Sequence, residues 1–260
     1  MSSKEQLVVE NQIADPKSSL GCFDLPCGFL HPDGTLIRSV KVREISGIEE
    51  DMLASKKTPP SKKMNELLSG CTLAIGNITS PDEVRKCVSQ LLLGDRVFLL
   101  LSIRRVSLGD LYPFSEKCPA CDTISLFDVD LASLEIKLMP EPTKRIYETV
   151  TPKGTKVRWH PMDGNGEERL AVIQTEQDKI TVSLLVRIDM INEAPPSLQV
   201  IKRMGMAERQ AIRDAFQETE GGVDTSIEFE CPKCGHEFKG DIDIGQRGFF
   251  FPSAVKRPSK

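Results

Sequence analysis

Two copies of one short motif, Cys118-Pro119-Ala120-Cys121 and Cys231-Pro232-Lys233-Cys234, constrain this chain more than any other feature of it. A tight turn with a thiolate at each end aims two sulfurs at one point, and two such turns complete a tetrahedral set suited to zinc. Apolar residues recur after each pair, Ile124, Leu126 and Val129 after the first and Phe238, Ile242 and Ile244 after the second, so each turn is expected to lead into a strand. The expected fold class is α+β, with a split zinc ribbon joining the middle of the chain to its far end. Four cysteines leave no coordination position for water or substrate, so Zn2+ on Cys118, Cys121, Cys231 and Cys234 would be structural. Two alternatives stay open: a redox dithiol, whose thiolate is usually activated at a helix N-terminus, and unliganded buried thiols.

The wide separation of the two pairs makes sense if they are corresponding parts of a duplicated unit. Three blocks recur in order. Lys41-Val42-Arg43, followed by Glu49-Glu50-Asp51-Met52-Leu53, matches Lys156-Val157-Arg158, followed by Glu167-Glu168-Arg169-Leu170. Asp95-Arg96-Val97 with Leu101 and Arg104 matches Asp178-Lys179-Ile180 with Leu184 and Arg187. The cysteine motifs, each ending in an Asp-x-Asp pair (Asp128 and Asp130, Asp241 and Asp243), match without a gap. Lys41 and Asp95 lie further apart than Lys156 and Asp178, whereas Asp95 and Cys118 lie closer than Asp178 and Cys231. This alignment predicts two related strand-helix-knuckle halves, each with an extra helix on opposite sides of the central block. Residues 24–140 form the first half and 141–252 the second, between an N-terminal segment 1–23 and a basic tail 253–260.

Composition sets limits on function. With 260 residues, 39% hydrophobic, the chain can bury one large core or two intimate lobes. A net charge of −4 argues against a clamp on a nucleic-acid backbone. No apolar run has the length of a membrane span, and the start MSSKEQ lacks the order of a signal peptide, which points to a soluble cytoplasmic protein with reduced thiols. Cys22, Cys27, Cys71 and Cys87 share no ligand-like spacing and read as small core residues.

Along the chain, Asp24 to Ile45 reads as a hairpin turning at Pro32-Asp33-Gly34, and Lys56 to Lys63 as a solvated connector. Ser80-Pro81-Asp82-Glu83 opens a helix over 81–93 with Val84, Cys87, Val88 and Leu91 on one face. Arg96–Val106 is apolar nearly all round and should be a central helix, and the spacing of Ile180, Leu184, Ile188 and Ile191 predicts another. A helix from Met206 through Phe216 is expected to end at Gly221-Gly222, ahead of a strand from Val223 to Glu230.

Phe249, Phe250 and Phe251 cannot all face one side of an element, so they are expected either to pack against the chain's own zinc module or to leave apolar surface for a partner or a neighbouring lobe. His31, His160 and His236 are scattered, and the Asp-x-Asp carboxylates have no nucleophile or base beside them, so no catalytic constellation is expected.

Several segments together carry a resemblance: Leu25-Pro26-Cys27-Gly28, Val42-Arg43-Glu44-Ile45-Ser46-Gly47, Leu93-Gly94-Asp95-Arg96 with Arg104, the first Cys-Pro-x-Cys with Asp130-Leu131, Gly221-Gly222-Val223-Asp224, and the second Cys-Pro-x-Cys with Phe250-Phe251-Pro252. Across residues 24–252 the chain resembles the baseplate hub assembly proteins of T-even-type phages and related contractile injection systems. The resemblance implies a non-enzymatic chaperone or minor structural component whose partners are other baseplate hub or tail proteins. Its place would be the cytoplasm of the producing host cell or the tail baseplate of the particle. The reading from another class is a zinc-ribbon module associated with nucleic acid.

Overall fold

The β-hairpin that opens the described chain forms because His31-Pro32-Asp33-Gly34 supplies a turn: Gly34 has φ +90°, and the Asp33 carboxylate accepts the Thr35 N–H at 2.8 Å. Its strands are β1 (Leu20–Leu30) and β2 (Leu36–Arg43), and β3 (Thr72–Ile75) pairs antiparallel with β2 to complete a three-stranded sheet. The computed structural model describes residues 20–55, 59–171, 176–244 and 247–251. The N-terminal segment up to residue 19, Lys56 to Thr58 of the expected connector, Pro252 and the basic tail 253–260 lie outside the described residues.

Helices α1 (Gly47–Ala54), α2 (Pro60–Cys71), α3 (Pro81–Gln90) and α4 (Leu93–Leu108) pack around this sheet. Pro60 begins α2 at a position where its missing N–H costs nothing, so the expected connector is cut short by a helix. α3 forms as expected, with proline in its first turn and Val84, Cys87 and Val88 buried. α4 is buried from Phe98 through Arg104, as its all-round apolarity requires, and stops at Gly109 with φ +83°. A hairpin of β4 (Leu111–Lys117) and β5 (Ile124–Asp130) follows, then β6 (Ile136–Lys137).

The second part of the chain contains β7 (Tyr147–Val150), β8 (Lys156–Trp159), α5 (Gly164–Ala171), α6 (Glu176–Leu185) and β9 (Ile188–Ile191). α7 (Leu198–Arg203), α8 (Met206–Thr219), β10 (Gly222–Val223), β11 (Ser226–Glu230), β12 (Glu237–Asp241) and α9 (Arg247–Phe250) complete it. β7, β8 and β9 make a second antiparallel three-stranded sheet, β11 pairs with β12, and β10 pairs with β6. The fold is thus a mixture of helices and small sheets.

Several expectations change. Ile188 and Ile191 belong to β9 rather than to a helix, because the helical spacing that links them to Ile180 and Leu184 runs across a turn at Val186–Arg187. Asp95 and Asp178 both lie in helices, but α4 follows β3 whereas α6 precedes β9, so those two residues do not occupy matching places. The unequal spacings that suggested insertions cancel: Lys41 to Cys118 and Lys156 to Cys231 differ by two residues. On β5 the buried positions are Ser125 and Val129, with Ile124 and Leu126 facing out. Cys22 is exposed, while Cys27, Cys71 and Cys87 are buried as expected.

The apolar interior divides in two. One cluster joins the first sheet and α2–α4 to residues of both cysteine hairpins, among them Val129, Phe229 and Ile242. The other centres on Trp159, with Tyr147, Ile188, Ile212 and Phe216.

Candidate metal centre

The two cysteine turns have the same local construction. In the first, Cys118 N–H donates to the Thr123 carbonyl and Asp122 N–H to the Cys118 carbonyl, both at 2.9 Å. In the second, Cys231 N–H donates to the His236 carbonyl and Gly235 N–H to the Cys231 carbonyl, again both at 2.9 Å. The fifth residue of each turn is left-handed, Asp122 at φ 56° and Gly235 at φ 68°, as a knuckle that folds its amides over the sulfurs demands.

The hairpins bring all four sulfurs within 4.8 Å of one another. Cys118 Sγ lies 3.8 Å from Cys234 Sγ, and Cys121 Sγ 3.6 Å from Cys231 Sγ. A tetrahedral zinc with Zn–S bonds of about 2.3 Å has sulfur–sulfur edges of about 3.8 Å, so the donor set fits such an ion. The Thr123 hydroxyl and N–H pull the Cys121 thiol down to about 6, and the N–H groups of Cys234 and Lys233 lower that of Cys231. Cys234, despite the His236 N–H, is pushed up to about 12 by the neighbouring sulfurs. Four thiolates this close repel one another, and a divalent cation removes that repulsion.

Beneath the sulfurs the hairpins are joined by an aromatic layer that the sequence reading did not identify. Phe229 stacks on Phe114 at 5.5 Å and meets Phe127 at 4.5 Å and Phe238 at 5.7 Å. The available signal was concentration: aromatics make up only 5% of the chain, and more than half of them lie on or against these hairpins. The phenylalanine triplet belongs to the same layer. Phe249 is fully buried, its ring lies 5.3 Å from Tyr112, and its carbonyl accepts from Arg104 Nε at 3.0 Å; Phe250 is buried too. Of the two expectations for the triplet, packing within the chain describes Phe249 and Phe250, because α9 turns them inward onto α4 and β4. Phe251 is half-buried against the same core.

A second junction lies where α4 meets β10. A Cβ on Gly94 would stand 2.0 Å from the Gly221 carbonyl oxygen, so only glycine allows the two backbones to cross here. Beside it the fully buried Asp95 accepts the Cys27 N–H at 2.7 Å, and burial raises its carboxyl to about 6. Arg96 donates from Nε to Glu167 of α5 at 2.8 Å and from Nη1 to the Val88 carbonyl at 3.0 Å. Leu93 N–H donates to Met162 and Gly164 N–H to Leu91, which seats α5 on the first part of the chain.

The remaining residues singled out by sequence have ordinary places. His160 pairs with Asp189, His31 lies against Asp33, and His236 is exposed beside Phe238. Asp128, Asp130, Asp241 and Asp243 are exposed, and Asp130 accepts the Ala132 N–H. Burial pushes Cys27 and Cys71 up to about 12, which makes them poor nucleophiles.

These features define a mixed α/β protein whose two cysteine hairpins close a four-sulfur centre compatible with a metal. The sequence profile of the family described as T4 bacteriophage base plate protein matches residues 32–250, and the chain belongs to that family. Membership gives it a structural or assembly role in a phage tail baseplate, with other tail proteins as its partners. No curated protein and no solved structure matches the chain significantly. No helix among the described residues is long and apolar enough to cross a membrane.

Proposed function

We propose that the chain acts at the baseplate hub, as an assembly factor or minor structural component, and that a zinc ion on Cys118, Cys121, Cys231 and Cys234 braces the surface it offers to other tail proteins. The observation that carries this reading is the family match over residues 32–250. Zinc would neutralise the thiolates and cross-link two hairpins more than a hundred residues apart in sequence. The knuckle amides hold the sulfurs in place, and the aromatic layer excludes water beneath them. Four sulfur ligands would leave no site for substrate, which supports a non-enzymatic role. In place of the buried phenylalanines, the outer face of the first hairpin offers Leu111, Ile124 and Leu126 to a tail protein. Exposed carboxylates on the second hairpin, Glu228, Glu230 and Glu237, weigh against nucleic acid.

Residues 24–140 and 141–252 are read as two copies of one unit, in a register different from the one sequence blocks suggested. In support, the two sheets share a strand order, and the irregularity between Lys41 and Val42 in the first recurs between Arg158 and Trp159 in the second. Each third strand ends in a bridged turn, Ile75 with Ile78 and Ile191 with Ala194. Asp95 then matches Glu208, both buried carboxylates third from a helix start. Arg96, which donates to Asn65 of α2, matches Arg209, which donates to Thr181 of α6.

Deleting the gene from its phage tests the assembly role. The expected outcome is particles without baseplates or tails, seen by electron microscopy, with normal baseplates overturning the reading.

A further inference from the structure

We propose that a second copy of this chain docks head to tail, its α1 seated on the α6–α7–α8 face of the first copy. The inference rests on the two-copy reading of the chain and goes beyond the hub role. In the first half, α2, α3 and α4 form a face that receives α5 of the second half. The seat is specific: Arg96 Nε donates to Glu167 at 2.8 Å, the α3–α4 link exchanges backbone hydrogen bonds with the segment before α5, and Gly164 approaches so closely that a Cβ would meet the Ser89 carbonyl oxygen at 2.6 Å.

The matching face of the second half is α6, α7 and α8, and the matching inserted helix is α1 of the first half. Both are exposed within one chain. Met206, which takes the place of Leu93 at the start of its helix, is 85% exposed, and Ile180 of α6 and Val200 of α7 are exposed too. Arg209 takes the place of Arg96. Its side chain is half-exposed, where Arg96 is buried under α5. On the complementary helix, α1 and α5 both begin with glycine, which aligns Gly47 with Gly164 and the exposed Glu50 with Glu167. A Cβ on Gly47 would meet nothing within 4 Å in its own chain.

Charge agrees with the docking: α1 carries the exposed Glu50 and Asp51, while α7 carries the exposed Arg203 and α8 the half-exposed Arg209. The docked pair would place Glu50 of one copy beside the half-exposed Arg209 side chain of the other, as the counterpart of the Arg96–Glu167 contact. An interface of this kind uses different patches on the two copies, so each docked copy leaves one patch free for the next, and the assembly grows until it closes into a ring or is capped.

Sedimentation velocity on the full-length protein with zinc bound, at rising concentration, tests the proposal. Wild-type protein is expected to self-associate. Gly47→Gln, which blocks α1, and Met206→Asp, which blocks the receiving face, should each remain monomeric. Both sites are exposed, so zinc content and circular dichroism should match wild type. An equimolar mixture of the two variants should form a dimer and stop there, because one intact pair of patches survives per two chains. Three results would each overturn the proposal: a wild-type monomer at concentrations on the order of 100 µM, above a Kd worth about 5–6 kcal/mol; association unaffected by either variant; or a mixture that stays monomeric. A monomeric wild type with full zinc content and a baseplate defect on deletion would remove the docking and leave the hub role standing.

Discussion

At the scale of single residues, Asp95 illustrates how a conspicuous acid can be structural. Desolvation raises its carboxyl from an ordinary 3.8 to about 6, against the opposing pull of the Cys27 and Gly28 amides and Arg145. The folded state therefore binds this proton more tightly than the unfolded chain does. Its contribution to stability is full below about pH 4 and is lost as pH rises through about 6. Asp95→Asn keeps an acceptor for the Cys27 amide without the charge, so relative to wild type the variant should gain stability between pH 5 and pH 7. Urea unfolding midpoints of both zinc-loaded proteins at the two values check this, and parallel midpoints would contradict it. The cysteines respond differently. Cys231→Ser removes a sulfur from the closed set, and zinc content should fall with a loss of several of the ~10 kcal/mol that such an ion contributes to folding. Elemental analysis and thermal unfolding together measure it, and wild-type stability in the variant would count against the centre.

At the scale of elements, the close crossing of α4 and β10 explains why Leu93-Gly94-Asp95-Arg96 and Gly221-Gly222-Val223-Asp224 occur in one sequence: Gly94 makes room for the Gly221 main chain, Gly222 faces Gly94, and Gly221 makes room for the main chain of Lys137 and Met139. Gly94→Ala should destabilise the protein by about 3 kcal/mol or more, since the atom it meets belongs to the main chain and cannot rotate away. Gly248→Ala in α9, with nothing within 4 Å of a new Cβ, should be nearly neutral. Chemical denaturation of the two variants makes the comparison, and equal effects would mean that the crossing is looser than described. The legible elements were those with chemical punctuation: proline and acids at the start of α3, glycine in the β1–β2 turn, cysteines at the knuckles. Less legible was strand register. Val40 pairs with Ile75 and Val157 with Ile191, which in the proposed two-copy reading sets Val40 against Val157, two residues away from the alignment of Lys41 with Lys156. A two-residue slip leaves every side chain on the same face, and alternation alone cannot detect it. The β9 segment was misread for a similar reason, because four apolar residues at helical spacing say nothing about a turn between them.

For the whole molecule, the division of the core predicts how it comes apart. The cysteine hairpins share their apolar cluster with the first sheet and α4, whereas the second sheet packs in a separate cluster around Trp159. Chelating the metal should raise hydrogen exchange most at β4, β5, β11, β12 and α9, and least at β7–β9. Uniform exchange along the chain would show that the two clusters unfold as one. The sequence by itself determined the four-sulfur set, the class of fold and the family, because ligand spacing and short motifs are local chemistry written in adjacent residues. It could not decide that Phe249 and Phe250 face inward, that Gly94 meets Gly221, or that Arg96 reaches Glu167. Those outcomes depend on which surfaces meet after some seventy to a hundred and fifty residues of intervening chain have folded, and only the tertiary packing sets that.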